Sequence, residues 1–109
     1  MRPLEDPEVQ DWLPSIEVKQ MKGSYLEVTF RHGRPWAAYL YLPRAPGDKS
    51  RRAEQVGIGL IVDYTESGKP IGVEITAPEK VSIADLNLVL TGFHMSALKD
   101  EDVAPLWAA

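Results

Sequence analysis

The clearest candidates for chemistry in this chain are two carboxylates, Asp63 and Glu74. Asp63 alternates with apolar residues in one predicted strand, and Glu74 does the same in the next, which predicts that both side chains share one face of a sheet. Paired carboxylates can act as general acid and base, as in glycoside hydrolysis. The pattern requires no third group, so solvated or interface carboxylates are the competing interpretation. We assign no catalytic residue, and the sequence favours a non-catalytic protein while leaving enzyme activity open.

Metal, nucleophile and phosphate chemistry find little support in the residue types present. The chain has two histidines and no cysteine. Neither His32 nor His94 has a second histidine or a cysteine at ligand spacing. Ser67 lies in a predicted turn rather than at a strand-to-helix elbow, and Gly68-Lys69 lacks the remaining residues of a phosphate loop. We therefore predict neither a bound metal nor another cofactor.

The charge of the chain constrains its partners. The 109 residues include 12 basic and 16 acidic side chains, a net charge of −4, which makes nucleic acid an unlikely partner class. A basic segment with the composition of a loop contains Arg44, Lys49, Arg51 and Arg52. It is either a solvated loop or a contact for an anion, an acidic partner or a nucleic acid. No apolar run is long enough to span a membrane, and without cysteines a soluble cytoplasmic protein is expected.

The elements that must position these residues follow from hydrophobic periodicity. The length fits one domain. Alternation predicts strands near residues 26–31, 37–42, 55–64 and 71–76, with a further possible strand around 16–19. The turn at residues 66–69 places Val62 opposite Val73 and Asp63 opposite Gly72, with Tyr64 opposite Ile71, because this register keeps the apolar residues on one face.

Helices are predicted mainly after the sheet. Ser82 and Asp85 form a capping box that begins a helix over residues 82–92, and acidic residues begin a short helix over 99–107. Asp6-Pro7-Glu8 predicts another short helix near the start. The expected fold is α+β, with an antiparallel sheet of four to five strands in a meander and C-terminal helices on one face. We divide the chain into an N-terminal extension (1–23) and one domain (24–109) whose sheet spans 24–77.

Glycines inside predicted strands mark the candidate surface. Such glycines destabilise a strand, so close approach of another backbone or a ligand, or a bulge, should explain them. Tyr39 and Tyr41 share one face of a neighbouring strand and could stack on nucleic-acid bases. A second buried face or a contact between copies of the chain is the simpler interpretation. The candidate binding or dimer surface comprises Tyr39, Tyr41, Gly57, Gly59, Asp63, Gly72 and Glu74.

One stretch resembles a known family. The run from Val56 to Tyr64, a turn containing Gly68, and Ile71-Gly72-Val73-Glu74-Ile75 is similar to a small prokaryotic family catalogued as domain of unknown function 2283. The alanine-rich stretch at 37–42 fits the same pattern, so the resemblance covers residues 24–77. Thr65 stands where the family usually has an acid, the acid usual within the alanine-rich stretch is missing, and loop 43–52 is long. The resemblance implies a bacterial source, a compact sheet-plus-helix domain and no assigned activity.

Three functions remain open at this point. The leading hypothesis is a non-catalytic interaction module that forms a homodimer through its sheet surface or edge strands, with another protein partner also possible. A second is a small-ligand binder or enzyme that uses Asp63 and Glu74. A third is contact with an anion, an acidic partner or a nucleic acid through the basic segment at 44–52.

Overall fold

A six-stranded antiparallel sheet and one α-helix dominate the computed structural model, which describes residues 14–21 and 23–107. The strands are β1 (Ser15–Met21), β2 (Ser24–Arg31), β3 (Arg34–Tyr41), β4 (Arg52–Gly57), β5 (Leu60–Tyr64) and β6 (Pro70–Ile75). Helix α1 spans Ile83–Gly92, and short 3₁₀ turns span Pro78–Lys80, Asp100–Asp102 and Ala104–Trp107. The helix predicted from Asp6-Pro7-Glu8 lies outside the described residues.

The strand order explains which side chains meet. The sheet has the order β1-β2-β3-β6-β5-β4, so it consists of two three-stranded meanders joined side by side through β3 and β6. The loop at 42–51 carries the chain from the centre of the sheet to its far edge. The second meander then returns strand by strand, which brings β6 beside β3.

The sheet has six strands, so the expectation of four to five was wrong. The alternating pattern at 55–64 suggested one long strand, but the chain turns at Ile58 and Gly59 and forms the β4–β5 hairpin. Gly59 has φ +73°, and a Cβ there would lie 3.1 Å from the Cβ of Ala77. Glycine adopts this left-handed conformation at little cost. A further strand, β1, forms where the possible strand at 16–19 was predicted.

The predicted β5–β6 register is confirmed over most of its length. Val62 pairs with Val73, and Asp63 pairs with Gly72. The register shifts after Asp63, so Tyr64 pairs with Pro70 instead of Ile71. The pairing therefore fixes which side chains of β5 and β6 point away from the core.

The core lies on one face of the sheet, where helix α1 and the C-terminal 3₁₀ turns pack. The capping box is confirmed, because Ser82 Oγ accepts the backbone N–H of Asp85 and Asp85 Oδ2 accepts that of Ser82. Residues 99–107 contain two 3₁₀ turns instead of the expected single helix, consistent with the limit that Pro105 sets on helix length. The buried cluster that joins sheet, helix and turns includes Leu26, Val28, Leu40, Val62, Val73, Ile75, Leu86, Leu90, Val103 and Leu106.

Candidate functional site

The opposite face of the sheet, here called the open face, is covered by no helix among the residues that the structure describes. Successive side chains of a strand point to opposite faces, so the partners of the core residues define this surface. Its central residues on β2, β3, β5 and β6 are Tyr25, Glu27, Thr29, Ala37, Tyr39, Tyr41, Ile61, Asp63, Gly72 and Glu74.

Three tyrosines form a continuous row across β2 and β3. Tyr25 pairs with Tyr41 in the ladder, and their rings stack with centroids 4.3 Å apart and an interplanar angle of 17°. The Tyr39 ring lies 4.6 Å from that of Tyr41, tilted by 51°. Offset-stacked and tilted pairs are the favourable arrangements for aromatic rings. The row is therefore a packed aromatic surface rather than three separate side chains.

Tyr39 reaches across a whole strand to bind Asp63. Its hydroxyl donates a hydrogen bond to Asp63 Oδ2 at 2.6 Å, although Tyr39 lies on β3 and Asp63 on β5. Gly72 of the intervening β6 lies beneath the tyrosine, and a Cβ at that position would overlap the Tyr39 hydroxyl and ring. Only 8% of Asp63 is exposed. The glycine inside β6 is thus explained by the close approach of a side chain of the same molecule.

Carboxylates surround the tyrosine row. Tyr41 lies near Glu27, its hydroxyl donating to Glu27 Oε1 at 3.5 Å, and Glu74 pairs with Tyr39 in the ladder. Arg44 lies at the margin, where Nη2 donates to the carbonyl of Ile71 at 2.6 Å and the guanidinium carbon lies 5.5 Å from the centre of the Tyr41 ring. The open face therefore combines three tyrosines and three carboxylates with one arginine at its margin.

This arrangement changes the acidity of two tyrosines. Burial raises the pKa of Tyr39 above its ordinary value of 10.0, and the hydrogen bond to Asp63 and its negative charge raise it further. Burial also raises the pKa of Tyr41, with a further contribution from Glu27. Both effects favour the neutral phenol, so both hydroxyls stay protonated and continue to donate to Asp63 and Glu27.

These shifts predict a loss of stability in alkaline solution. The native protein holds the two phenolic protons more tightly than the unfolded chain does, so we expect the free energy of unfolding to fall as pH rises above about 10. Below that pH the contribution is fully present. Denaturant unfolding at increasing pH measures the decline, which should be weaker in Tyr39→Phe. Titration of Tyr39 and Tyr41 at the ordinary tyrosine pKa of 10.0, followed by phenolate absorbance, would contradict the prediction.

The basic residues predicted as a cluster do not converge. Arg44 lies on the open face, whereas the guanidinium of Arg52 lies 4.5 Å from the ring of Tyr64, whose side chain belongs to the core. Lys49 and Arg51 line a shallow hollow elsewhere, beside the turn that follows β5. Lys49 and Arg51 therefore share one hollow, whereas Arg44 and Arg52 each contact a different tyrosine.

Gly57 and Gly59 also lie apart from the tyrosine row. Gly59 forms the β4–β5 turn against Ala77, and Gly57 ends β4 beside Leu60. Of the seven residues predicted as one surface, the structure gathers Tyr39, Tyr41, Asp63, Gly72 and Glu74.

Sequence reasoning did not place Tyr25 or Glu27 on the candidate surface. The signal was present in the apolar alternation of the β2–β3 hairpin, which favours Val28 opposite Ala38 and Leu26 opposite Leu40. A register shift between Thr29 and Phe30 allows this pairing, and it sets Tyr25 opposite Tyr41 and Glu27 opposite Tyr39. Extending the register argument to that hairpin would have placed both residues on the candidate surface.

The five best-defined hollows among the described residues lie away from the central residues of the open face. Neither Asp63 nor Glu74 lines any of these five. Residues 14–21 and 23–107 contain no group of three histidine or acidic side chains placed to hold a metal ion. Within the same ranges, no helix is long and apolar enough to cross a membrane.

Comparison with known proteins confirms the resemblance noted from the sequence. The model of a family described as "Protein of unknown function (DUF2283)" matches residues 37–77. These residues contain β4 to β6 and the part of β3 from Ala37 onward, and with them Tyr39, Tyr41, Asp63, Gly72 and Glu74. No curated protein matches the chain, and no solved structure matches it.

Proposed function

We propose that this chain is an interaction module whose open face binds a partner protein through arginine side chains of that partner. The observation that carries the proposal is the packed row of three tyrosines bordered by three carboxylates. A guanidinium stacks on aromatic rings and forms paired hydrogen bonds with carboxylates. Aromatic residues are also enriched at protein interfaces.

Charge favours a basic partner over a second copy at this face. Glu27, Asp63 and Glu74 outnumber the single marginal cation, Arg44, and the whole chain carries a net charge of −4. Two open faces packed together would bring like charges into contact, which is unfavourable when water is excluded. A partner rich in arginine would instead complement both the rings and the carboxylates.

A contact that Arg44 makes within this protein supports arginine as the side chain through which the partner binds. Its guanidinium lies over Tyr41 while one of its N–H groups binds a backbone carbonyl. Tyr25 forms one end of the row, where it is 36% exposed, and its ring stacks on Tyr41. The exposed end of the row thus offers an incoming guanidinium the kind of surface that Arg44 uses at the margin.

The position of the best-defined hollows favours a protein over a small molecule as the ligand of the open face. Small-molecule sites are concave and enclose most of the ligand surface. Asp63 and Glu74 line none of the hollows described above, and the Asp63 carboxylate is occupied by the Tyr39 hydroxyl. These observations support binding rather than acid–base chemistry at the two carboxylates.

A labelled peptide of alternating arginine and glycine tests the proposal by fluorescence anisotropy. We expect the Glu27→Gln/Glu74→Gln variant to bind about tenfold more weakly than the native protein, because it loses two contacts to the guanidinium groups. The matched control, Glu66→Gln/Glu79→Gln, removes the same charge at exposed positions away from the open face. Equal losses in both variants would contradict a specific site, as would equal affinity for a lysine–glycine peptide.

A further inference from the structure

A second surface, remote from the tyrosine row, exposes large apolar side chains. Ile58 is 72% exposed, Leu88 75% and Val56 38%. All three line one hollow of about 260 Å³ between the β4–β5 turn and helix α1. Leu60 and Val89 also line it, so apolar groups form both the hollow and the prominent side chains beside it. A contiguous apolar surface of this kind marks an interaction site more often than a scattered exposed residue does.

The local fold requires neither Ile58 nor Leu88 to be apolar. The β4–β5 turn depends on Gly59, which supplies the positive φ, so the neighbouring position could carry a polar residue. Helix α1 is anchored to the core by Leu86 and Leu90, which are 1% and 2% exposed. Two independent departures from the usual polar surface, Ile58 and Leu88, therefore meet at the same place. Such departures are expected at functional sites.

Charged residues at the hollow indicate what covers it. Lys80 and Asp85 both line it, so the same surface carries one positive and one negative side chain. Asp85 Oδ2 is engaged in the capping box, which leaves the other carboxylate oxygen for a partner. In a two-fold symmetric dimer both copies use the same surface. If one residue of the first copy contacts a second residue of the other copy, the reverse contact also forms, so the surface must be complementary to itself. Lys80 opposite Asp85, and Leu88 opposite the hollow, satisfy this requirement.

We propose that this surface, formed by Val56, Ile58, Leu88, Lys80 and Asp85, joins two copies of the chain in a symmetric dimer. Leu88 of each copy enters the hollow of the other, beside Ile58, and Lys80 of each copy faces Asp85 of the other. The surface is small compared with the 20–30 residues per partner of a standard interface, so the dimer should dissociate in the micromolar range. This contact lies apart from the open face, so both can operate together.

Sedimentation velocity over protein concentrations from about 2 to about 400 µM tests the proposal, because that range spans the expected dissociation. The native protein should shift from monomer to dimer, and Leu88→Lys should remain monomeric at the highest concentration. Ile58→Lys should have the same effect, and Lys80→Glu should weaken the dimer by placing like charges in contact. All three positions are exposed, so at the lowest concentration, where the native protein is monomeric, the melting temperature should stay unchanged.

The matched control is Ile16→Lys, which changes an aliphatic residue that is 64% exposed on edge strand β1. We expect it to dimerise like the native protein. A native protein that stays monomeric over the whole range would overturn the proposal. A dimer that Ile16→Lys abolishes and Leu88→Lys preserves would also overturn it, and would place the contact at the sheet surface.

Discussion

Replacing Gly72 with alanine is expected to lower the free energy of unfolding by about 2–4 kcal/mol. The added Cβ would overlap the hydroxyl and ring of Tyr39, so the tyrosine must leave its position. Asp63, which is 8% exposed, would then lose the hydroxyl that donates to it. Overpacking and an unpaired buried carboxylate act together here, and chemical denaturation measures their sum.

Two further variants separate this effect from a general intolerance to alanine. Gly92 ends helix α1 with open space around it and no positive φ, so Gly92→Ala should leave stability unchanged or raise it by up to about 1 kcal/mol. In a Tyr39→Ser background the obstructing ring is absent, and Gly72→Ala should then have little effect. Equal destabilisation by Gly72→Ala in both backgrounds would show that Tyr39 is not the reason for the glycine.

The second large effect is expected at the β4–β5 turn. Gly59→Ala should lower the free energy of unfolding by about 2–3 kcal/mol. The left-handed conformation costs an alanine about 1–2 kcal/mol, and its Cβ would crowd the backbone and side chain of Ala77. The crowding is tight, with the Cβ of Ala77 at 3.1 Å and its carbonyl oxygen at 3.3 Å. Thermal or chemical denaturation gives the change directly.

Gly57 is the matched control for this turn. It lies only two residues away, its φ is not positive, and the nearest atom to an added Cβ would be Leu60 Cδ1 at 3.9 Å. Gly57→Ala should therefore be neutral or slightly stabilising. Similar effects at both positions would contradict a hairpin and favour the continuous strand that the alternation alone suggests.

Local patterns predicted the fold correctly where neighbouring signals agreed. The Val62–Val73 register followed from alternation on two strands joined by a short polar turn, because a one-residue slip would expose the core. The start of α1 followed from the Ser82–Asp85 capping box. In both places a single physical requirement determined the structure within a few residues.

The prediction was wrong where the same pattern fitted two structures. Apolar alternation continues through Ile58, so only the backbone conformation of Gly59 distinguishes a turn from a continuous strand. At the C-terminus, an acidic start predicted a helix, but the chain contains two 3₁₀ turns that still bury Val103 and Leu106. Burial of these two apolar residues does not require a continuous helix.

The site itself was only partly predictable because it depends on strand order. The sequence placed Gly72 opposite Asp63, but β3 lies beside β6 only because the loop at 42–51 crosses to the far edge of the sheet. Contacts between strands that are distant in sequence are set by the packing of the whole sheet. The hydrogen bond of Tyr39 across β6 therefore had no local signal, apart from an unexplained glycine.

The most direct test of the open face as a binding surface is an amide NMR titration of isotope-labelled protein with the arginine–glycine peptide. Binding at the proposed site predicts chemical-shift changes concentrated at Glu27, Tyr39, Tyr41, Gly72 and Glu74. The Glu27→Gln/Glu74→Gln variant should show these changes only at higher peptide concentration. Changes centred on helix α1 or on loop 42–51, or no changes at all, would contradict binding of the peptide at the open face.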